Sequence, residues 1–210
     1  MDSEAKRAKE MVKQLSFKKK LAHFWYYYKK YVMWGLFALA LISWGVYEKA
    51  TMINYDLNIP YFSSRAIDLD NNLERFKEYF IGAVKDSNNN GRVDVAIVPY
   101  TGDIEKAKKD EVVGAVLTKL DMSLAADDAA MYIFDERYLE HFKRAHEDIK
   151  FTEVEISQIP EVREALGLID QEKAYLITLE LFDRLKDNDK KIAEHNNAKG
   201  LEKFFEEKIK

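Results

Sequence analysis

Residues 31–47, YVMWGLFALALISWGVY, run without a charge between Lys29-Lys30 and Glu48-Lys49. At about 1.5 Å of rise per residue the run covers roughly 25 Å as a helix, slightly less than a hydrocarbon core of about 30 Å. Snorkelling by Lys29 and Lys30, and interfacial seating of Tyr26, Tyr27, Tyr28, Tyr31 and Tyr47, make up the difference. A buried helix of a soluble protein is also apolar, but Trp34, Trp44 and the flanking tyrosines fit an aromatic belt better than a core. The exit Trp44-Gly45-Val46-Tyr47 lacks the small residues of a signal-peptide cleavage site, so the segment reads as an uncleaved signal-anchor. The chain then divides into a basic cytoplasmic tail with an interfacial helix (1–30), the transmembrane span (31–47), a connector (48–54) and one α/β domain (55–210).

Charge orients this arrangement. Residues 1–30 carry nine Lys/Arg against three Asp/Glu, whereas the rest of the chain is acidic enough to bring the total to −4. Basic residues stay on the cytoplasmic side, which places the N-terminus inside and the domain outside the cell membrane. An acidic outer domain argues against nucleic acid as a partner. The chain has no Cys, so disulfides and Cys lipidation are excluded. A domain of this size builds its core without them.

Residues 1–15 read as a loose charged tail. Ser16 then reads as a helix cap, with Phe17, Leu21, Phe24, Trp25 and Tyr28 on one face and Lys18, Lys19 and Lys20 on the other. Such a helix lies in the inner interface and draws anionic lipid. Beyond the span, strands alternate with helices. Strands are expected at Tyr55–Phe62, with Pro60 at an edge or strand end, and at Val93–Val98, Ala130–Phe134, Phe151–Ile156 and Lys173–Leu181. Helices are expected around Leu73–Val84, at Asp103–Ala126, Glu136–Glu147 and Ala198–Ile209, with a loop through Pro160. This alternation predicts βαβ units and a three-layer α/β domain with a mostly parallel sheet.

The sharpest local motif is Asp86-Ser-Asn88-Asn-Asn90-Gly91-Arg92-Val93-Asp94. Oxygen-bearing side chains at its positions 1, 3 and 5, Gly at 6, an aliphatic at 8 and an acid at 9 match the first half of a calcium loop. Asp86, Asn88, Asn90 and Asp94 would offer side chains, and Arg92 its carbonyl. Position 12 is Ile97 where a bidentate Glu belongs, so calcium would bind weakly or need an acid from elsewhere in the chain. The alternative is a plain turn whose Asn and Gly residues tolerate left-handed backbone.

Catalytic constellations are absent: no Gly-x-Ser-x-Gly, no Gly-rich phosphate loop, no His-Glu-x-x-His and no thiol. His141 and His146 stand about 140° apart around a helix and read as exposed residues rather than zinc ligands. Asp127 and Asp128 are adjacent and point apart. Asp135, at the end of an expected strand, caps the following helix or lines a ligand cleft, since α/β sheets bind ligands at the carboxyl ends of their strands.

Two stretches carry resemblances. Ser16–Lys29 (SFKKKLAHFWYYYK), running into the anchor, and the turn Asp86–Val93 resemble a group of poorly characterised bacterial single-pass membrane proteins. Residues 124–135 with Tyr138-Leu139, and the tail from Glu194 to Phe205, resemble segments of extracellular solute-binding proteins. The resemblance implies an extracytoplasmic domain like one solute-binding lobe. The expected function is a non-enzymatic binding or accessory module held at the membrane, beside a transporter or envelope complex. The alternative is a single-pass sensor that meets a membrane or envelope protein partner.

Overall fold

A computed structural model describes residues 16–51, 53–65, 72–106, 110–169 and 171–210. The tail expected over 1–15 lies outside the described residues. The chain forms two units, residues 1–53 and 54–210.

The first unit is one helix, α1 (Phe17–Thr51). The interfacial helix and the span expected from the sequence join in it without a break. No Pro interrupts the segment, and Gly35 and Gly45 stand singly, so nothing forces a kink. Its stretch Phe24–Lys49 is long and apolar enough to cross a membrane. Aromatic neighbours along it include Phe24 stacked on Tyr28 at 5.1 Å, one turn apart.

The second unit contains β1 (Leu57–Ser63), α2 (Asn72–Phe80), β2 (Val95–Thr101), α3 (Glu111–Ala125), β3 (Met131–Asp135) and α4 (Glu136–Ala145). It continues through β4 (Phe151–Glu155), α5 (Pro160–Leu166), β5 (Ala174–Leu179) and α6 (Asp189–Ile209). The sheet order is β2-β1-β3-β5-β4. β1 pairs in parallel with β2 and β3, whereas β5 is antiparallel to both β3 and β4. The sheet is therefore mixed, with β5 alone running against the other four strands. The reason lies in the link from β4: α5 has only seven residues, about 10 Å of helix, too short to return the chain along the sheet. β5 starts instead where β4 ends, at Glu155↔Tyr175.

Side-chain alternation along the strands builds two cores. Leu57, Ile59, Met131, Ile133, Ala174 and Leu176 face α2, α5 and α6, where Phe76, Phe80, Val162, Leu201 and Phe205 meet them. Phe62, Tyr132, Phe134, Ile177 and Leu179 face α3 and α4, against Leu120, Leu124, Tyr138 and Phe142. Period-two alternation with apolar residues on both faces is what a sheet covered on both sides requires.

Several boundaries depart from expectation. Pro60 lies in an interior strand rather than at an edge, but the ladder to β3 begins only at Tyr61, so towards β3 it stands at the free end. The helix expected from Asp103 begins at Glu111, after a 3-10 turn at Ile104–Lys106, because Asp110 accepts from the Val112 N–H and caps it there. The loop expected through Pro160 contains α5: Pro160 occupies its first turn and Gly167 ends it at φ 61°. α6 starts nine residues before Ala198, since Asn188 caps it by accepting from the Lys191 N–H.

Asn197, buried in α6, clasps two distant segments. Its Nδ2 donates to the carbonyls of Lys85 (3.0 Å) and Asp56 (3.2 Å), and its Oδ1 accepts from the Lys85 N–H (3.0 Å). Asn197→Leu strands these backbone groups, and each buried unpaired group costs about 1–3 kcal/mol. In urea denaturation of the full chain in detergent, the variant is expected to lose at least about 2 kcal/mol. An unchanged midpoint would mean that the clasp contributes nothing.

Candidate functional site

The connection from β1 to β2 runs through α2 on one face of the sheet, and that from β2 to β3 through α3 on the other. The chain thus leaves β1 and enters β3 on opposite faces, and the adjacent strands β1 and β3 mark the topological switch point. Loops at their carboxyl ends diverge there, the usual position of a ligand crevice in an open α/β sheet. A cavity of about 390 Å³ opens at this place. Ser63, Ser64 and Arg65 enter it from the end of β1, and Asp135, Glu136 and Arg137 from β3 and the start of α4.

Asp135 caps the following helix, as expected, and lines this cavity. Its Oδ1 accepts from the Tyr138 N–H at 2.8 Å and caps α4, while its Oδ2 accepts from the Ser64 N–H and ties the two loops together. Ion pairs form the walls. Arg65 reaches Glu172 at 2.9 Å and donates to the Gly167 carbonyl at 2.8 Å. Lys173 meets Glu136 at 3.3 Å. Arg137 stands 3.6 Å from an oxygen of each of Asp103 and Glu105 and, among the described residues, makes no hydrogen bond. Lys106, with the Glu105 N–H and Arg137, holds the Asp103 carboxyl below the usual carboxylate range.

Tyr61, 1% exposed, also lines the cavity. Its hydroxyl and that of Ser64 are buried without a hydrogen-bond partner among the described residues. Burial first, then the neighbouring Asp135 and Glu172, push the Tyr61 hydroxyl well above the usual phenol range, against the opposing influence of Ser63 and Arg65. Ser63 is near this hydroxyl but not in hydrogen-bonding geometry with it. Tyr138, by contrast, spends its hydroxyl on the Gly102 carbonyl at 2.9 Å, and burial pushes its pKa up to about 12.

The Asp86–Asp94 loop lies elsewhere, at the start of β2. Asp86 accepts from the N–H groups of Asn90 (3.3 Å) and Gly91 (2.9 Å), Asn88 Oδ1 accepts from the Asn90 N–H, and Asn90 Oδ1 from the Arg92 N–H. Asn89 and Gly91 adopt left-handed backbone at φ 57° and 86°. Asp94 Oδ2 receives the Arg92 guanidinium at 2.9 Å and the Asn90 amide at 2.8 Å. Lone pairs remain on these oxygens, but a cation would have to displace a guanidinium from Asp94. Among the described residues no three His, Asp or Glu side chains converge as a metal-binding group.

An acid from elsewhere in the chain does reach this loop. Asp56, 1% exposed, accepts from the Ser87 N–H (2.8 Å) and hydroxyl (2.9 Å), the Asn88 N–H (3.0 Å) and the Asp94 N–H (2.9 Å). Burial raises its pKa, but these hydrogen bonds outweigh that and hold the carboxyl below the ordinary range.

His146 is half-buried against Phe142 rather than exposed, at 5.4 Å between ring centres, with Nε2 3.2 Å from an Asp121 oxygen. His141 is partly covered, and burial lowers its pKa. Asp127 takes left-handed backbone after α3 and pairs with Arg184 through two 2.8 Å bonds, while Asp128 faces Lys119.

The chain matches no known family model, no curated protein and no solved structure. The site is therefore read from its own geometry. Sequence reasoning missed Tyr61 and Arg137. Tyr61 sits in the apolar run Ile59-Pro60-Tyr61-Phe62, which reads as core. Arg137 had one signal, a cation in the first turn of a helix, where the dipole disfavours it.

Asp56→Asn replaces an acceptor oxygen by an amide that cannot receive the loop's N–H groups. The folded pKa of Asp56 is depressed, so its contribution is full above the ordinary carboxylate value near 4 and disappears as pH falls through the lower folded value. Expected are a loss of at least about 2 kcal/mol at pH 7 and a shallower fall of stability in acid. Parallel acid limbs for wild type and variant would overturn this role.

Proposed function

We propose that the chain is a membrane-anchored, extracytoplasmic and non-enzymatic binding module. On this reading it takes a small polar solute in the cleft between the ends of β1 and β3, beside a transporter or envelope complex. The observation that carries it is the buried Tyr61 hydroxyl, without a hydrogen bond among the described residues, on a side chain that lines a roughly 390 Å³ cavity at the switch point. A buried unpaired hydroxyl costs folding free energy, which a ligand's hydrogen bond returns. The cavity is of the size that small-molecule clefts have. α1 supplies the anchor and its basic flank the cytoplasmic orientation, with anionic lipid at the inner face.

A solute that binds the native state raises the melting temperature by mass action. The full chain in detergent is expected to melt higher with one class of small polar solute, and less so as Tyr61→Phe. Calcium at about 1 mM, a concentration typical of extracellular sites, is expected to leave the melt unchanged because Arg92 neutralises Asp94. A calcium-dependent rise abolished by Asp86→Ala would instead make the loop a metal site. A flat response to every solute would move the reading to the sensor or protein-interaction class, which co-purification from detergent tests.

Orientation is tested separately. The chain has no Cys, so Glu161→Cys introduces one thiol on the exposed surface of α5. A membrane-impermeant maleimide added to intact cells is expected to label it. Labelling only after lysis would reverse the assigned topology.

A further inference from the structure

The cleft's charges differ in availability. Tyr61 lines it together with Asp135 and Glu172. Asp135 spends its oxygens on the N–H groups of Ser64 and Tyr138, and Glu172 spends one on Arg65 and the Ile169 N–H. Carboxylate lone pairs remain, and the phenol oxygen is free to accept. This part of the lining is electronegative and suits a group that only donates, such as an ammonium.

Availability singles out one cation. Arg65 is committed to Glu172 and the Gly167 carbonyl, and Lys173 to Glu136. Arg137 is different. It stands in the first turn of α4, at the positive end of the helix, and its ion pairs among the described residues are the two at 3.6 Å, with no hydrogen bond. Its guanidinium fork keeps its donors for a planar anion, and the positive helix end adds to the attraction for one.

We propose that the ligand of this cleft is a small zwitterion of amino-acid type, its ammonium seated against Tyr61 and its carboxylate on Arg137. The proposal rests on the reading of the cleft as a binding site and names the class it takes. Tyr61, on β1, and Arg137, in the first turn of α4 just past the end of the neighbouring parallel strand β3, line the same cavity, so a compact molecule meets both. The lining carboxylates of Asp103, Asp135, Glu136 and Glu172 repel a dianion, and the Arg137 guanidinium disfavours a polyamine. A neutral sugar would leave Arg137 with only its two long ion pairs to Asp103 and Glu105.

Isothermal titration calorimetry on the full chain in detergent tests this, with individual L-amino acids as probes and ethanolamine, succinate and glucose as controls. At least one amino acid is expected to bind more tightly than any control. Arg137→Gln is expected to weaken that amino acid about tenfold or more, the effect of losing a charge-assisted bidentate contact, and to leave ethanolamine unchanged. Tyr61→Phe is expected to weaken both. Arg137 is exposed, and Tyr61→Phe removes a buried hydroxyl that makes no hydrogen bond among the described residues, so both variants should melt at least as high as the wild type. Binding of succinate or glucose alone, weakened by Tyr61→Phe, would overturn the zwitterion while keeping the cleft as a binding site. Amino-acid binding indifferent to Arg137→Gln would overturn the carboxylate assignment. No heat from any probe would overturn both the zwitterion and the binding module.

Discussion

The Asp56 carboxylate, buried just before β1, is the interaction on which the domain's assembly depends. It gathers four hydrogen bonds from Ser87, Asn88 and Asp94, and its own N–H donates to the Asp94 carbonyl at 2.7 Å. The β1–β2 ladder begins one residue later, at Leu57↔Val95. A buried charge is tolerable only when hydrogen bonds replace its water, and here the Asn-rich turn provides them. Asn197 of α6 binds the Asp56 carbonyl from the other side, so strand, turn and terminal helix share one anchor. The register set there carries along β1 to Ser63 and places the cleft at its far end.

The two ends of β1 differ in kind. At the amino end every buried polar atom of the Asp56 clasp is paired. At the carboxyl end Tyr61 and Ser64 keep buried hydroxyls without partners among the described residues, and Arg137 is held at a helix end that disfavours it. Natural folds accept such local costs at functional sites and offset them through packing elsewhere. The offset here is aromatic. Phe205 lies near Phe76 and Phe80 on one face of the sheet, and Phe62 contacts Tyr100, Tyr132, Phe134 and Tyr138 on the other.

Much of the fold was legible in the sequence because strong local signals carry it. The apolar run of β3 was readable, and so were the Asp135 cap and the Leu120-Leu124 stripe of α3, since each depends on residues a few positions apart. α5 was not read, although Pro160 and Gly167 mark its ends, because seven residues leave little periodicity. The early start of α6 was hidden by Asn196-Asn197, poor helix formers in isolation. Asn197 is there for its bonds to residues more than 100 positions away. The direction of β5 had no local signal, because a strand's side-chain pattern is the same whichever way it runs.

By itself the sequence determined a segment apolar and long enough to cross a membrane, the charge step across it, the α/β alternation and the cap at Asp135. All of these follow from composition or from spacings within one element. Only the tertiary structure decided which strands are neighbours, that β5 opposes them, and that Asp56 organises a turn 30 residues away. It alone brings Tyr61, Asp135, Arg137 and Glu172 around one cavity. The physical reason is that a helix or strand is specified by neighbours along the chain. A site is specified by crossovers, and crossovers join residues whose spacing in sequence carries no record of their meeting.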